Sequence, residues 1–254
     1  MSLNDVKYQV AVATRILAEL GLATGITNSV GHVSLRLPDD PSRFVVKGRG
    51  YKMDVVGEMR PEDMVVVDMD GKKVDGPKGV SQCYEVKMHS CILRDHPEVQ
   101  SVVHVHPRFT ILMSVLEKRL RPISNSGGQL VRNPIPIYPH NHLILTDKHG
   151  TDVSQMLGSG KAVLLKGHGA ATAGTSLQES VTNMLQLEEQ AYLNAWAWQL
   201  AGPEHGYISD EMMTEARSLP PYETLDHFKD SYEPGRQLPN GFWAYYTEKV
   251  AKEL

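Results

Sequence analysis

The run Val102-Val103-His104-Val105-His106-Pro107 constrains this chain more than any other. It is rich in a β-branched residue and ends on a proline that cannot donate to a ladder. It therefore reads as a buried strand over Ser101–His106. Alternate side chains on a strand share a face, which places His104 and His106 side by side, about 7 Å apart at their Cα atoms. Two imidazoles so placed can converge on one divalent ion. They can also be paired core histidines, and the spacing leaves both readings open.

The remaining sequence supplies an α/β frame for that strand. Helical spacing of Val6, Val10, Ala13, Leu17 and Leu20 predicts a helix over residues 5–21 with Asn4 as its cap. Strands are expected at His32–Leu37, Arg43–Lys47 and Asp63–Asp68, the last turning at Asp70-Gly71 into a hairpin through Lys73-Val74. A helix follows over Glu85–Arg94 and a shorter one over Phe109–Leu116. Further strands are expected at Ala162–Leu165 and Ala170–Thr172, and Pro136 confines Ile135–Ile137 to a sheet edge. The longest helical run is 176–201.

Residues 1–202 read as one α/β domain. Residues 203–254 read as a C-terminal extension with little periodicity, packed on the domain or on a neighbouring subunit. Its aromatic content (Tyr207, Tyr222, Tyr232, Phe242, Trp243) favours docking over disorder. With 26 basic and 30 acidic residues and no basic stretch, the chain carries no nucleic-acid footprint. No apolar run approaches the roughly 18 residues of a membrane span. The opening MSLNDVKYQV lacks the pattern of a secretory leader, and two cysteines make no disulfide framework. A cytoplasmic location is expected.

Two further residues join the histidine strand. His168 lies in Lys166-Gly167-His168-Gly169-Ala170, where flanking glycines let the backbone turn tightly around the imidazole; a structural turn contact is the other reading. Glu85 opens the helix before the histidine strand, where a carboxylate gains from the helix dipole. It could be a fourth ligand, an acid/base group or a solvated helix-start charge. Three histidines, an open position and a carboxylate form a catalytic rather than a closed structural pattern. Nitrogen and oxygen donors admit Mn, Co, Zn or Fe, with Cys83 as a wall residue.

These pieces occur in a familiar order. Glu85-Val86-Lys87-Met88-His89, His96-Pro97, Val102 to Pro107 and Lys166 to Ala170 resemble the class II aldolase/adducin family, as do Gly31-His32-Val33-Ser34 and Gly48-Arg49-Gly50. The resemblance covers roughly residues 5–200. It implies a three-layer α/β/α fold with a mostly antiparallel central sheet, and a homotetramer with active sites between subunits. It implies that His104, His106 and His168 bind a divalent metal and that Glu85 is the catalytic carboxylate. The complete ligand set sets the chain apart from non-catalytic, adducin-like modules.

The phosphate cradle of the family's sugar-phosphate enzymes is altered at each of its three parts. His32 stands for an asparagine, Arg49 occupies the second turn, and Cys83-Tyr84 replaces a hydroxyl pair before Glu85. These changes suit a flat anionic ligand. Arg49 would fork onto a carboxylate, or else is a solvated turn charge; Tyr84 or His32 would meet an aromatic ring, and Ser34 is expected to contact substrate. The variant resembles the decarboxylase branch, which acts on hydroxylated aromatic dicarboxylates such as dihydroxyphthalate. Glu85 is then the proton donor, and His32 orients the departing carboxylate or relays a proton. The alternative is a class II aldolase acting on a sugar phosphate or hydroxy acid. His89, one turn beyond Glu85, reads as a residue behind the site or as a helix-face histidine. His140-Asn141-His142 repeats the histidine spacing beside Pro139 and reads as a loop.

Overall fold

A computed structural model describes residues 1–229 and 241–252 of the 254-residue chain. The elements, in chain order, are α1 (Leu3–Glu19), β1 (His32–Leu37), β2 (Asp40–Arg49), β3 (Met64–Asp68), β4 (Lys73–Asp75), β5 (Ser81–Gln82), α2 (Val86–Asp95), β6 (Ser101–Val105), α3 (Arg108–Leu116), α4 (Gly128–Val131), β7 (Ile137–Tyr138), α5 (Asp147–Leu157), β8 (Ala162–Leu165), β9 (Gly169–Gly174), α6 (Leu177–Ala201), α7 (Asp210–Ser218) and α8 (Gly241–Ala251). The first helix starts earlier than its apolar spacing suggests, and its cap is Ser2 rather than Asn4. The Ser2 hydroxyl accepts the Asp5 N–H at 3.2 Å, and the Asp5 carboxylate accepts the Ser2 N–H at 2.8 Å.

The sheet runs β4-β3-β2-β1-β6-β9-β8-β7, with β5 paired to β2. Every pairing is antiparallel except β7 on β8. Strand β7, which directly follows Pro136, lies at the edge of the sheet. The histidine strand β6 is central, between β1 and β9, and its five residues are all buried.

The two-residue period divides the sheet between two apolar layers. Val33, Val45, Val103, Val105 and Leu164 pack with α1 and α6. Phe44, Val46, Val102, Val163 and Leu165 pack with α2 and α5. The result is a three-layer α/β/α fold. His32, Ser34 and His104 fall in phase with the α2 face, so three polar side chains sit in the layer that α2 covers. His106 follows the end of β6, and Glu85 stands immediately before α2.

Beyond Gly202, described residues of α7 and α8 pack on the domain. Met213 of α7 and Val250 of α8 are buried, and Trp243 and Tyr246 pack on the α1 side of the core. Two helices form there despite the weak periodicity; α7 buries only one residue, so it carries no apolar stripe to read. Tyr232 lies outside the described residues.

Candidate metal centre and active site

Glu85 is the residue immediately before α2, His104 is on β6, His106 follows β6, and His168 lies in the turn joining β8 to β9. One ligand atom from each falls within 4.8 Å of the others. The β1–β6 register sets His32 opposite His104, and the β6–β9 register brings Ala170 beside Val105, which draws the His168 turn over the same strand end. Gly169 permits that approach: a Cβ there would press on the Val105 carbonyl and lie 3.1 Å from His106 Cδ2.

His104 Nδ1–H donates to the Ala170 carbonyl at 2.9 Å, which turns Nε2 inward. That nitrogen stands 3.0 Å from His106 Nε2 and 3.2 Å from Glu85 Oε2. His168 Nε2 is 3.5 Å from the same oxygen, and neither of its buried ring nitrogens has a hydrogen-bond partner. Burial opposes a charge on His106 and, with the neighbouring His104 and His168, pushes its pKa down to about 3. Burial would raise the Glu85 pKa, but the surrounding imidazoles outweigh it and hold the carboxyl well below the usual range. Three converging imidazole nitrogens and a carboxylate, with unsatisfied lone pairs, fit a divalent cation.

Glu85 Oε1 points away from the imidazoles and accepts the Ile144 N–H at 3.0 Å. The loop before α5 thus orients the carboxylate, a contact that sequence reading does not find. A cleft of about 250 Å3 opens beside the centre, lined in part by His32, Lys47, Arg49, Tyr84, Glu85 and His106. The Arg49 guanidinium lies over the Tyr84 ring, 4.6 Å from its centroid, and donates to the Ser29 carbonyl at 3.1 Å. Lys47, also unforeseen, is almost fully buried and is paired with Asp54, which lies 3.8 Å from Arg49 Nε. Lys47 and Arg49 therefore line the cleft together with Glu85, and Asp54 lies beside both cations.

Ser34 does not reach the cleft. It is fully buried, with Oγ 2.7 Å from His89 Nδ1, because β1 turns it under α2. His89 in turn lies with Nε2 2.6 Å from His32 Nδ1. His32, Cys83 and His89 also bring three donor atoms together. However, 2.6 Å between the two nitrogens is a hydrogen-bond length, and the other ring nitrogen of His89 is engaged by Ser34. Burial and the nearby Glu85 push the Cys83 thiol up, which keeps it protonated. His140 and His142 are exposed and stack with centroids 5.1 Å apart in the expected loop. They belong to neither group of converging donors found among the described residues.

An antiparallel α/β sandwich with three histidines and a carboxylate converging at a cleft defines a candidate metal enzyme. Residues 8–195 match the family described as the class II aldolase and adducin N-terminal domain, and the chain belongs to that family. The chain is 31% identical over 194 residues to a 3,4-dihydroxyphthalate decarboxylase of Terrabacter sp. (strain DBF63), covering 73% of this chain and 78% of that one. It is 30% identical over 186 residues to a 3-oxo-tetronate 4-phosphate decarboxylase of Escherichia coli (strain K12), covering 71% and 82%. The solved L-fuculose 1-phosphate aldolase from Glaciozyma antarctica PI12 shares the fold, with a TM-score of 0.74 at 20% identity and coverage of 98% and 89%. The family and these relatives support an enzyme of the aldolase/decarboxylase type. No helix among the described residues is long and apolar enough to cross a membrane.

Proposed function

We propose that the protein is a metal-dependent, non-oxidative decarboxylase of a hydroxylated aromatic dicarboxylate such as a dihydroxyphthalate. The observation that carries this reading is the stacked Arg49–Tyr84 pair in the cleft that Glu85 also lines. A guanidinium backed by an aromatic ring matches a planar carboxylate better than a tetrahedral phosphate cradle of small donors. The dihydroxyphthalate decarboxylase relative supports the same chemistry.

His104, His106 and His168 would hold a divalent cation (Mn, Co, Zn or Fe), which supplies Lewis-acid stabilisation of developing negative charge. Arg49 binds the carboxylate that is retained, and Tyr84 covers the ring. Glu85, poised as a carboxylate, takes the proton of a ring hydroxyl ortho or para to the departing group. It returns that proton to the ring carbon bearing the carboxylate. The carbon–carbon bond then breaks, its electron pair flows through the ring to the deprotonated oxygen, and CO2 leaves. The phenolate regains a proton from water. One proton is consumed per CO2, and nothing is oxidised or reduced.

A second reading is favoured by Lys47. A buried ammonium next to Arg49 also suits a phosphate, as in a sugar-phosphate aldolase or a phosphorylated oxo-acid decarboxylase. Anaerobic assays of metal-replete protein separate the readings. The panel comprises 3,4-dihydroxyphthalate, a hydroxymethylpyridine dicarboxylate, hydroxybenzoates, L-fuculose 1-phosphate and 3-oxo-tetronate 4-phosphate, with CO2 and aldehyde measured together. CO2 from an aromatic acid is expected; aldehyde from the sugar phosphate, or CO2 from the phosphorylated acid alone, overturns the proposal.

A homotetramer forms part of the same proposal. Exposed Leu112, Val115 and Leu116 of α3 adjoin Phe109, Tyr192 and Trp196, whose rings meet edge to face, and Val115 borders the His168 turn. Such an apolar strip suits contact with another copy. The unpaired Cys83 and Cys91 suit a cytoplasmic setting.

A further inference from the structure

We infer that Ser34 and His89 form a hydrogen-bonded chain that fixes the tautomer of His32, so that His32 turns an Nε2–H donor toward the cleft. This deepens the decarboxylase reading and rests on it for the identity of the acceptor, the carboxylate that departs. His89 and Ser34 are positioning residues; neither touches substrate.

The argument is a count of protons. Ser34 Oγ is 2.7 Å from His89 Nδ1, and His89 Nε2 is 2.6 Å from His32 Nδ1. Ser34 and His89 are wholly buried, and His89 lies against Phe44 with ring planes 19° apart. A buried imidazole whose hydrogen-bond partners are a hydroxyl and another imidazole is neutral and carries one ring proton. The chain therefore has only two self-consistent arrangements. In one, His32 donates to His89, His89 to Ser34, and Ser34 to the Val102 carbonyl, leaving His32 Nε2 bare. In the other, Ser34 donates to His89, His89 donates to His32, and His32 Nε2 carries the proton.

The distances choose between them. Ser34 Oγ is 3.5 Å from the Val102 oxygen, at the outer limit of a hydrogen bond, but only 2.7 Å from His89 Nδ1. The serine proton is better spent on the imidazole, which selects the second arrangement. His32 lines the cleft, and no described protein group hydrogen-bonds its Nε2.

The chemistry has use for such a donor. The departing carboxylate loses its charge as CO2 forms, so a cation held against it would stabilise the ground state over the transition state. A neutral N–H orients the group at a smaller penalty. The cations Lys47 and Arg49 line the same cleft and suit the retained anion, which keeps its charge.

Neutron diffraction from perdeuterated crystals of the zinc-loaded protein tests the tautomer without reference to substrate. Deuterium is expected on His32 Nε2, on His89 Nε2, and on the line from Ser34 Oγ to His89. Deuterium on His32 Nδ1, or a serine deuteron aimed at Val102, overturns the inference. Kinetics on whichever substrate the panel identifies test the consequence. Ser34→Ala should lower kcat/KM about five- to tenfold, and Ser34→Thr, which restores a hydroxyl, should recover it. Ser34→Ala with altered Tm but unchanged kcat and KM overturns the positioning role. Because the neutron result needs no turnover, failure of the decarboxylase reading is distinguishable from failure of this one.

Discussion

The backbone N–H of Ile144 donates to Glu85 Oε1 at 3.0 Å, leaving Oε2 to face the three imidazoles. One oxygen is a fixed anchor and the other is chemically available. The Glu85→Gln variant separates these roles. Its amide oxygen still accepts from Ile144, but its NH2 carries no exchangeable acid proton. We expect metal content and Tm to stay near wild type and kcat to fall by about 10²–10⁴. Near-wild-type turnover with metal retained would remove Glu85 from the proton transfer.

Neither buried ring nitrogen of His168 has a hydrogen-bond partner, as the proposed role of a ligand to an added ion requires. In the metal-free state, His168→Ala should keep a Tm close to that of wild type. Adding zinc or manganese should raise the wild-type Tm and leave the variant unmoved. Elemental analysis after dialysis should give about one ion per wild-type chain and far less for the variant. Equal metal content in the two proteins contradicts the assignment.

Arg49 presents a planar fork stacked on Tyr84, which a lysine cannot reproduce. Arg49→Lys should raise KM for a dicarboxylate roughly 10- to 100-fold, the equivalent of about 1.5–3 kcal/mol for a charge-assisted hydrogen bond, with little change in kcat. A related monocarboxylate should show almost no change. A loss shared equally by both substrates would place Arg49 outside the retained-carboxylate site.

Acid should unfold the metal-free protein early. Burial pushes His89 and His106 down to about 3. Between the ordinary histidine value near 6.5 and that level, the unfolded chain binds protons that the native state refuses. Stability then falls as pH falls, by about 1.4 kcal/mol per pH unit for the fully buried His89. Thermal melts should show Tm declining from pH 6.5 toward pH 4, with a shallower slope in His89→Phe. A flat profile across that interval contradicts the buried neutral state.

Strand periodicity and two glycines make much of the centre legible. The two-residue spacing of His104, on β6, and His106, just beyond its end, brings the two imidazoles together, and Gly167-His168-Gly169 declares a turn. Contacts with no local sequence signature are not legible. Lys47 reads as the polar end of a strand, and its partner Asp54 lies in an irregular loop seven residues on. Helix α5 escapes detection because its sequence is polar and contains Gly150. That glycine lies so close to α2 that a Cβ would strike Cys91 Sγ at 2.7 Å. Close interhelical approach, rather than a broad apolar stripe, holds α5 in place. Ser34 illustrates the converse: its motif is visible and it shares a strand face with His32, but two residues further along β1 that face is sealed by His89 of α2.

The donors of the candidate centre are spread from Glu85 to His168 and meet only when β9 pairs with β6. A chain emerging from the ribosome with residues through His106 alone offers a bare His-x-His strand and one carboxylate. For the proposed metal enzyme, competition among cellular metals would therefore be postponed until the sheet has closed. The choice of ion would fall to a finished, rigid cage rather than to a flexible chain that would take the most avid metal first.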